Sequence, residues 1–315
     1  MSKKERISVI GSGLMGHGIA QIFAVHGHEV TLYDIRQDLL DKALISVKAN
    51  LDAFVARGII NKETAAAAPS RITCTLSLEE AAKNADFVVE AVPENMALKQ
   101  DIFKQLDAMS APETVLASNT SVMSITEIAS ASQNRARIVG THFWNPPYLI
   151  PLVEVVQAKD TSEKAVDFTM DLLRRVGKHP VHCRKDVPGF IANRMQHALW
   201  REAIYIVEQG IADAATVDEA VRLSFGMRLP VLGPLENADM VGLDLTQAIH
   251  DYILPALCDS HKTSPVVLEK AAAGDLGFKT GKGLQEWSAA KQEASRTGLR
   301  DYLLDVAEKQ AKTGR

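Results

Sequence analysis

A strand-like run, Ile7–Ile10, passes directly into Gly11-Ser12-Gly13-Leu14-Met15-Gly16, and no other feature of the chain restricts its fold so strongly. In a G-x-G-x-x-G turn between strand and helix, the first glycine permits the tight bend and the second lets a ligand approach the backbone. The third lets the helix pack closely on the strand. The helix that follows offers free N–H groups and the positive end of its dipole to an anion. Gly11, Gly13, Leu14, Met15 and Gly16 are therefore expected to cradle the pyrophosphate of a dinucleotide. Asp34 closes the second strand, where a carboxylate takes the ribose hydroxyl in such units. It would repel a 2′-phosphate, which favours NAD over NADP, although the nearby Arg36 softens that preference. FAD is the competing ligand, and a solvated strand-end carboxylate is the competing reading of Asp34.

Beyond this turn, short β-rich runs alternate with helical stretches: Glu29–Tyr33, Arg71–Thr75, Asp86–Val92, Val115–Ala117, Arg137–His142, Leu152–Val156 and Pro180–Cys183. Strands separated by helices predict a parallel sheet. Between Tyr33 and Arg71, Leu39, Leu40, Leu44, Val47, Leu51 and Phe54 recur at helical spacing, which predicts a long helix or helical hairpin inserted into the unit. Its tip, near Arg57-Gly58, is expected to approach the substrate. At Asp186-Val187-Pro188-Gly189 a turn and helix-start signal ends the strand-like texture. Ile191, Met195, Leu199, Ala203, Ile206 and Val207 then share one helical face, and Thr216-Val217-Asp218-Glu219 has the form of a capping box. Leu299, Leu303, Leu304 and Ala307 predict an amphipathic final helix. The predicted architecture is α/β: a doubly wound N-terminal domain over 1–185 with an inserted helical hairpin, then an all-α domain over 186–315.

Composition narrows the classes. The 315 residues are 46% hydrophobic and 23% charged, the balance of a globular protein. Net charge is −4, from 35 basic and 39 acidic residues without long runs of one sign, so nucleic acid is not an expected partner. No stretch reaches the ~18 apolar residues of a membrane span. Cys74, Cys183 and Cys258 fit neither a disulfide framework nor a metal motif, and the nine histidines lack metal-ligand spacing, so no metal is expected. A reducing, cytoplasmic setting is the simplest reading.

The densest chemistry lies in Gly140-Thr141-His142-Phe143-Trp144-Asn145-Pro146-Pro147 and Leu152-Val153-Glu154-Val155-Val156. The Asn-Pro-Pro turn between two strands allows His142 and Glu154 to meet. A dehydrogenase uses such a pair: His takes the alcohol proton as hydride leaves, and a carboxylate orients the ring. From spacing alone a structural pair is the favoured reading.

Together with Val89-Glu90-Ala91-Val92-Pro93-Glu94-Asn95, Ala117-Ser118-Asn119-Thr120-Ser121, Pro188-Gly189-Phe190-Ile191-Ala192-Asn193-Arg194, Gly233-Pro234 through Gly242-Leu243-Asp244, and Lys279-Thr280-Gly281-Lys282-Gly283, the chain resembles the L-3-hydroxyacyl-CoA dehydrogenase family. The resemblance runs from Ile7 to about Gly283. It implies a Rossmann-like NAD-binding domain, a helical domain that forms a homodimer, and reversible oxidation of a C3 hydroxyl in fatty acid metabolism. By the same resemblance His142 is the general base and Glu154 its partner. Ser121 and Asn193 bind the substrate oxygens, Asn145 and Asn119 lie by the cofactor, and Glu94 and Lys99 are cofactor-side contacts. Without it, Ser121 and Asn119 read as turn residues, Asn193 as a helix cap and Lys99 as a solvated lysine.

The substrate is less determined. Typical acyl-CoA members carry a lysine before the Leu-Val-Glu segment and a lysine-rich hairpin tip. Here Ile150-Pro151 and the single Arg57 stand in those places. Asn145–Pro151 and Phe225-Gly226-Met227-Arg228 resemble instead the L-gulonate and L-carnitine dehydrogenase branches, where Arg228 would hold a carboxylate bidentately; a surface arginine is the other reading. Asn237–Asp244 and Lys279–Gly283 are closer to the acyl-CoA branch. The CoA thioester stands slightly ahead of a free hydroxy acid. Lambda-crystallin, a structural lens protein, is a further branch, but retention of His142 and Glu154 favours an enzyme.

Overall fold

The computed structural model describes residues 4–313. The chain divides into two compact units, one comprising the residues up to Arg194 together with those from Leu299 onward, the other Met195–Gly298. In the first unit eight strands form one sheet: β1 (Ile7–Ile10), β2 (Val30–Tyr33), β3 (Ile72–Thr75), β4 (Phe87–Glu90), β5 (Val115–Ser118), β6 (Ile138–Phe143), β7 (Leu152–Val156) and β8 (His179–Cys183). Their order is β3-β2-β1-β4-β5-β6-β7-β8.

Around the sheet run α1 (Gly16–Val25), α2 (Gln37–Ala56), α3 (Lys62–Ala67), α4 (Leu78–Lys83), α5 (Met96–Met109), α6 (Ile125–Ala129) and α7 (Glu163–Arg175). Strand residues are buried on both faces, as a sheet covered by helices on each side requires. Alternation divides them: Ile7, Val9, Phe87, Val89, Val115, Ala117 and Val139 enter one apolar cluster with α1, α2 and α7. Ile10, Val88, Leu116 and Ile138 enter the other with α4, α5 and α6. The sheet is thus doubly wound and Rossmann-like, with α2 and α3 as the inserted hairpin.

One pairing departs from the parallel expectation. β6 and β7 are antiparallel, with His142 opposite Glu154 in register. Only the loop 144–151 joins them, too short for the crossover that a parallel neighbour needs. β8 then pairs parallel with β7 through α7.

The second unit is helical, built from most of α8 (Ala192–Glu208), with α9 (Ala214–Leu223), α10 (Pro234–Val241), α11 (Leu243–Ile253) and α12 (Pro265–Ala272). The capping box expected at Thr216 is not the start of α9. Asp213 is the N-cap and accepts from Thr216 N. Asp caps as well as Thr, and its charge also complements the dipole, so the earlier start wins. The last helix, α13 (Ala289–Thr313), returns its later turns to the first unit. Among the described residues no helix is long and apolar enough to cross a membrane.

Candidate active site

The carboxyl ends of β1, β2, β4, β5 and β6 share one edge of the sheet because these strands are parallel. The order reverses between β1 and β4, where such sheets open a crevice. Gly11 stands there at φ +98°, and a Cβ on it would come within 2.8 Å of the Ala91 carbonyl oxygen. A Cβ on Gly16 would fall 1.8 Å from the Gly11 oxygen, so that position closes the helix onto the turn. Gly13 has nothing within 4 Å. Its packing demands no glycine, and the open space beside it is what a ligand pressed against the backbone would use. No side chain caps the start of α1. Asp34 is buried and accepts from Ser12 N (2.8 Å), Ser12 Oγ (2.7 Å) and Ile35 N (2.7 Å). It ties the turn to β2 at the crevice rim. Leu14 is exposed and Met15 half-buried.

Antiparallel register then makes the second half of the site. Opposed residues on one face lie close enough for side-chain contact, and His142 Nδ1 meets Glu154 Oε2 at 2.6 Å, both groups almost wholly buried. Glu154 has three further donors. Trp144 Nε1 reaches Oε2 at 3.3 Å, and the backbone N–H groups of Ile191 and Ala192 reach Oε1, each at 2.9 Å. Burial works to raise its pKa, but the His142 bond and the two amides outweigh it and hold the carboxyl below its usual range. An ionised Glu154 accepts a hydrogen bond from Nδ1–H of His142, the tautomer that leaves Nε2 as the unprotonated ring nitrogen.

A second network approaches from β4 and β5. Lys99, on α5, is fully buried rather than solvated; its Nζ lies 2.7 Å from Glu90 Oε1 and 3.5 Å from Glu94 Oε2. Glu94 accepts from the backbone and hydroxyl of Ser121 (2.7 and 3.0 Å) and from Thr120 Oγ1. Burial opposes its ionisation; the Ser121 amide, Lys99 and the two hydroxyls more than compensate and lower its pKa. Asn193 Nδ2 donates to the Ser121 carbonyl at 2.9 Å. Asn193 therefore sits inside the first turn of α8 and caps nothing. Asn119 Oδ1 accepts from Phe143 N (3.0 Å), fixing the end of β5 to the end of β6. Asn145 is exposed just beyond.

The two networks meet at the start of α8, whose residues 191 and 192 bond Glu154 while Asn193 bonds Ser121. His142, Glu154, Ser121, Asn193, Glu94, Lys99 and Asn119 form one connected arrangement. Arg57 ends α2, bound to Asp305 of α13, and Arg228 is exposed in the second unit. Neither Trp144 as a donor to Glu154 nor the clamp on α8 is legible in the sequence; a glutamate inside the apolar run Val88-Val89-Glu90-Ala91 is the visible signal for a partner to Lys99. Among the described residues no cluster of His, Cys, Asp and Glu could hold a metal.

Residues 6–187 match the 3-hydroxyacyl-CoA dehydrogenase NAD binding domain and residues 189–287 match the 3-hydroxyacyl-CoA dehydrogenase C-terminal domain. A probable 3-hydroxybutyryl-CoA dehydrogenase of Bacillus subtilis is 38% identical over 284 residues, 90% of this chain and 97% of that protein. Among solved structures, a 5-formyl-3-hydroxy-2-methylpyridine 4-carboxylic acid 5-dehydrogenase, described as an NAD+-dependent dismutase, superposes with TM-score 0.90 at 32% identity, over 99% of this chain and all of that one. The (S)-3-hydroxybutyryl-CoA dehydrogenase of Ralstonia eutropha gives 0.77 at 34% identity, over 91% of this chain and 100% of that one.

Proposed function

Because the chain belongs to the 3-hydroxyacyl-CoA dehydrogenase family and is thus an NAD-dependent dehydrogenase of CH–OH groups, we propose that it reversibly oxidises the C3 hydroxyl of a 3-hydroxyacyl substrate to a ketone, with His142 as general base. The observation that carries this reading is the 2.6 Å His142–Glu154 pair in the register of β6 and β7. NAD fits the crevice: Gly11 and Gly16 let the turn close tightly, Gly13 leaves the backbone bare, α1 begins without a side-chain cap, and Asp34 stands at the rim for the ribose. Leu14, Met15, Glu94, Lys99, Asn119 and Asn145 complete the cofactor side of this assignment.

When bound, the nicotinamide supplies the acceptor for the C3 hydride. The chain's own residues manage the proton. Nε2 of His142 takes it from the C3 hydroxyl, while Glu154, ionised and holding Nδ1–H, stabilises the imidazolium that results. Ser121 and Asn193 hold the C3 oxygen as it becomes a carbonyl. Their mutual bond, and that of Ser121 to Glu94, keep the two at a fixed spacing. In the reverse direction His142 returns the proton.

The acyl group reaches this chemistry either as a CoA thioester, as in the Bacillus subtilis relative's name, or as a free hydroxy acid. The pyridine carboxylate enzyme, which superposes over nearly the whole chain, favours the second form; there Arg228 takes the substrate carboxylate. The same reading places the protein in the cytoplasm as a homodimer paired through 186–315. NADH oxidation measured with acetoacetyl-CoA and with acetoacetate, in wild type and His142→Gln, tests the dehydrogenase reading. Equal rates in the two proteins would refute it.

A further inference from the structure

α13 begins beyond the C-terminal family domain, which ends at residue 287, and its later turns pack on the first unit. Leu304 is buried against Phe54 of the last turn of α2 and Leu149 of the loop after β6, with Ile59, Ile60, Tyr148 and Leu303 around them. The Tyr148 ring lies 5.9 Å from that of Phe54, and Pro147 and Tyr148 close over Gly18 of α1. Hairpin, loop and α13 are therefore one packed wall, continuous along the chain with the segment that carries His142 and Asn145.

The charges of that wall are unusual. Asp301, Asp305 and Glu308 recur at i, i+4 and i+7 on one face of α13. They surround the Arg57 guanidinium at 3.8, 2.6 and 3.9 Å. The other hairpin cations are also engaged, Lys42 by Asp38 and Lys48 by Asp52. Among the described cations of α2, α3 and their connection, Lys62 alone has no ion pair.

We propose that α13 is a specificity device: by seating Leu304 in the hairpin and surrounding Arg57 with carboxylates, it reserves the site for a compact free hydroxy acid and excludes acyl groups on a phosphate-bearing carrier. The inference rests on the dehydrogenase reading above. Phosphates are held by arginine and lysine through charge-assisted bonds. Here the hairpin arginine already donates to Asp305, and a polyanion would meet three carboxylates beside it, a like-charge juxtaposition that selects against a partner. The apolar seam between the end of α2 and the loop 144–151 is filled by Leu304, so it offers no groove for a long carrier arm. A small hydroxy acid needs neither the cations nor the seam.

The test uses the full chain with NADH bound. CoA itself is titrated by calorimetry, and initial rates are measured with acetoacetyl-CoA and acetoacetate, for wild type and for D301N/D305N/E308Q, which keeps Leu304 in place. Wild type is expected to show no saturable CoA binding up to about 1 mM and a kcat/KM for the free acid at least about tenfold above that for the thioester. The triple variant is expected to gain CoA binding and to narrow the rate ratio about tenfold, with free-acid kinetics unchanged. Tight CoA binding by wild type, or a variant that loses thermal stability while the ratio and CoA affinity stay put, overturns the inference and leaves α13 a structural brace. The CoA titration decides this without turnover. Silence of both substrates in the rate assay would count against the dehydrogenase reading instead.

Discussion

At the residue scale, Glu154 does more than face His142. It receives four donors, two of them the amides that begin α8. Glu154→Gln keeps the size but offers an NH2 to at least one group that is itself a donor. A buried donor left unsatisfied costs about 1–3 kcal/mol, and the imidazolium loses its counter-charge. We expect roughly a 100-fold fall in turnover together with a lower unfolding midpoint. His142→Gln should lose turnover on the same scale with NADH affinity nearly intact and little change in stability, as fluorescence titration and thermal melts would show. Equal melting shifts in the two variants would contradict the anchoring role.

Lys178 is a second instructive residue. Its ammonium lies under the loop after β6 and donates to the carbonyls of Pro147 (2.5 Å) and Ile150 (2.9 Å), and burial pushes its pKa down to about 8 from 10.5. Below pH 8 the group is protonated in folded and unfolded chains alike and the burial cost is fully felt. Between about 8 and 10.5 the folded chain has shed a proton that the unfolded chain keeps, so this group's contribution to stability rises with pH. The stability of wild type relative to Lys178→Met should therefore increase by roughly 1–2 kcal/mol between about pH 7 and pH 9.5. Urea unfolding of both proteins at the two pH values measures it. A difference that is flat or falling with pH would show that the two carbonyls hold the ammonium charged throughout.

At the element scale, the glycine turn separates two roles that a motif merges. Gly16 is required by packing, since a Cβ would collide with the Gly11 carbonyl; Gly13 meets nothing. Gly16→Ala should lower the melting temperature markedly or prevent folding. Gly13→Ala should melt like wild type yet bind NADH at least about tenfold more weakly, because the methyl group occupies the ligand's approach. If Gly13→Ala binds NADH normally, the pyrophosphate does not pass where the bare backbone is. Such turn chemistry and the period-two strands were legible from sequence because both are local: the strand segments recur in the structure within a residue or two. The antiparallel turn of β6 and β7 was not, since strand runs alone do not record direction. The capping of α9 was misplaced for another local reason, two good caps three residues apart. Long-range pairs were least legible. Nothing near Arg57 in the chain announces Asp305, and Lys99 reads as a surface lysine until α5 folds over the end of β4 and buries it.

At the scale of the whole molecule, the helical unit leaves much of its apolar surface exposed. Val217 is the one large apolar side chain buried there among the described residues. Leu245, Ile249, Tyr252 and Ile253 form an i, i+4, i+7, i+8 stripe along α11, and all are exposed, Tyr252 at 89%. Met195 and Leu199, predicted to share the apolar face of α8, are exposed as well. A helix normally turns such a stripe inward, and contiguous apolar surface on a soluble chain marks an association site. An isologous pair, in which the same stripe serves both copies, is the simplest cover. The expected state by sedimentation is therefore a dimer at micromolar concentration. Ile249→Glu with Tyr252→Glu, both in the C-terminal half of α11, should yield a monomer that melts earlier, since burial of each such side chain contributes about 1.5–3 kcal/mol that only the pair can realise. A wild-type monomer with an unchanged melting point on dilution would show that the α11 stripe is not an association surface and that the chain tolerates its exposure.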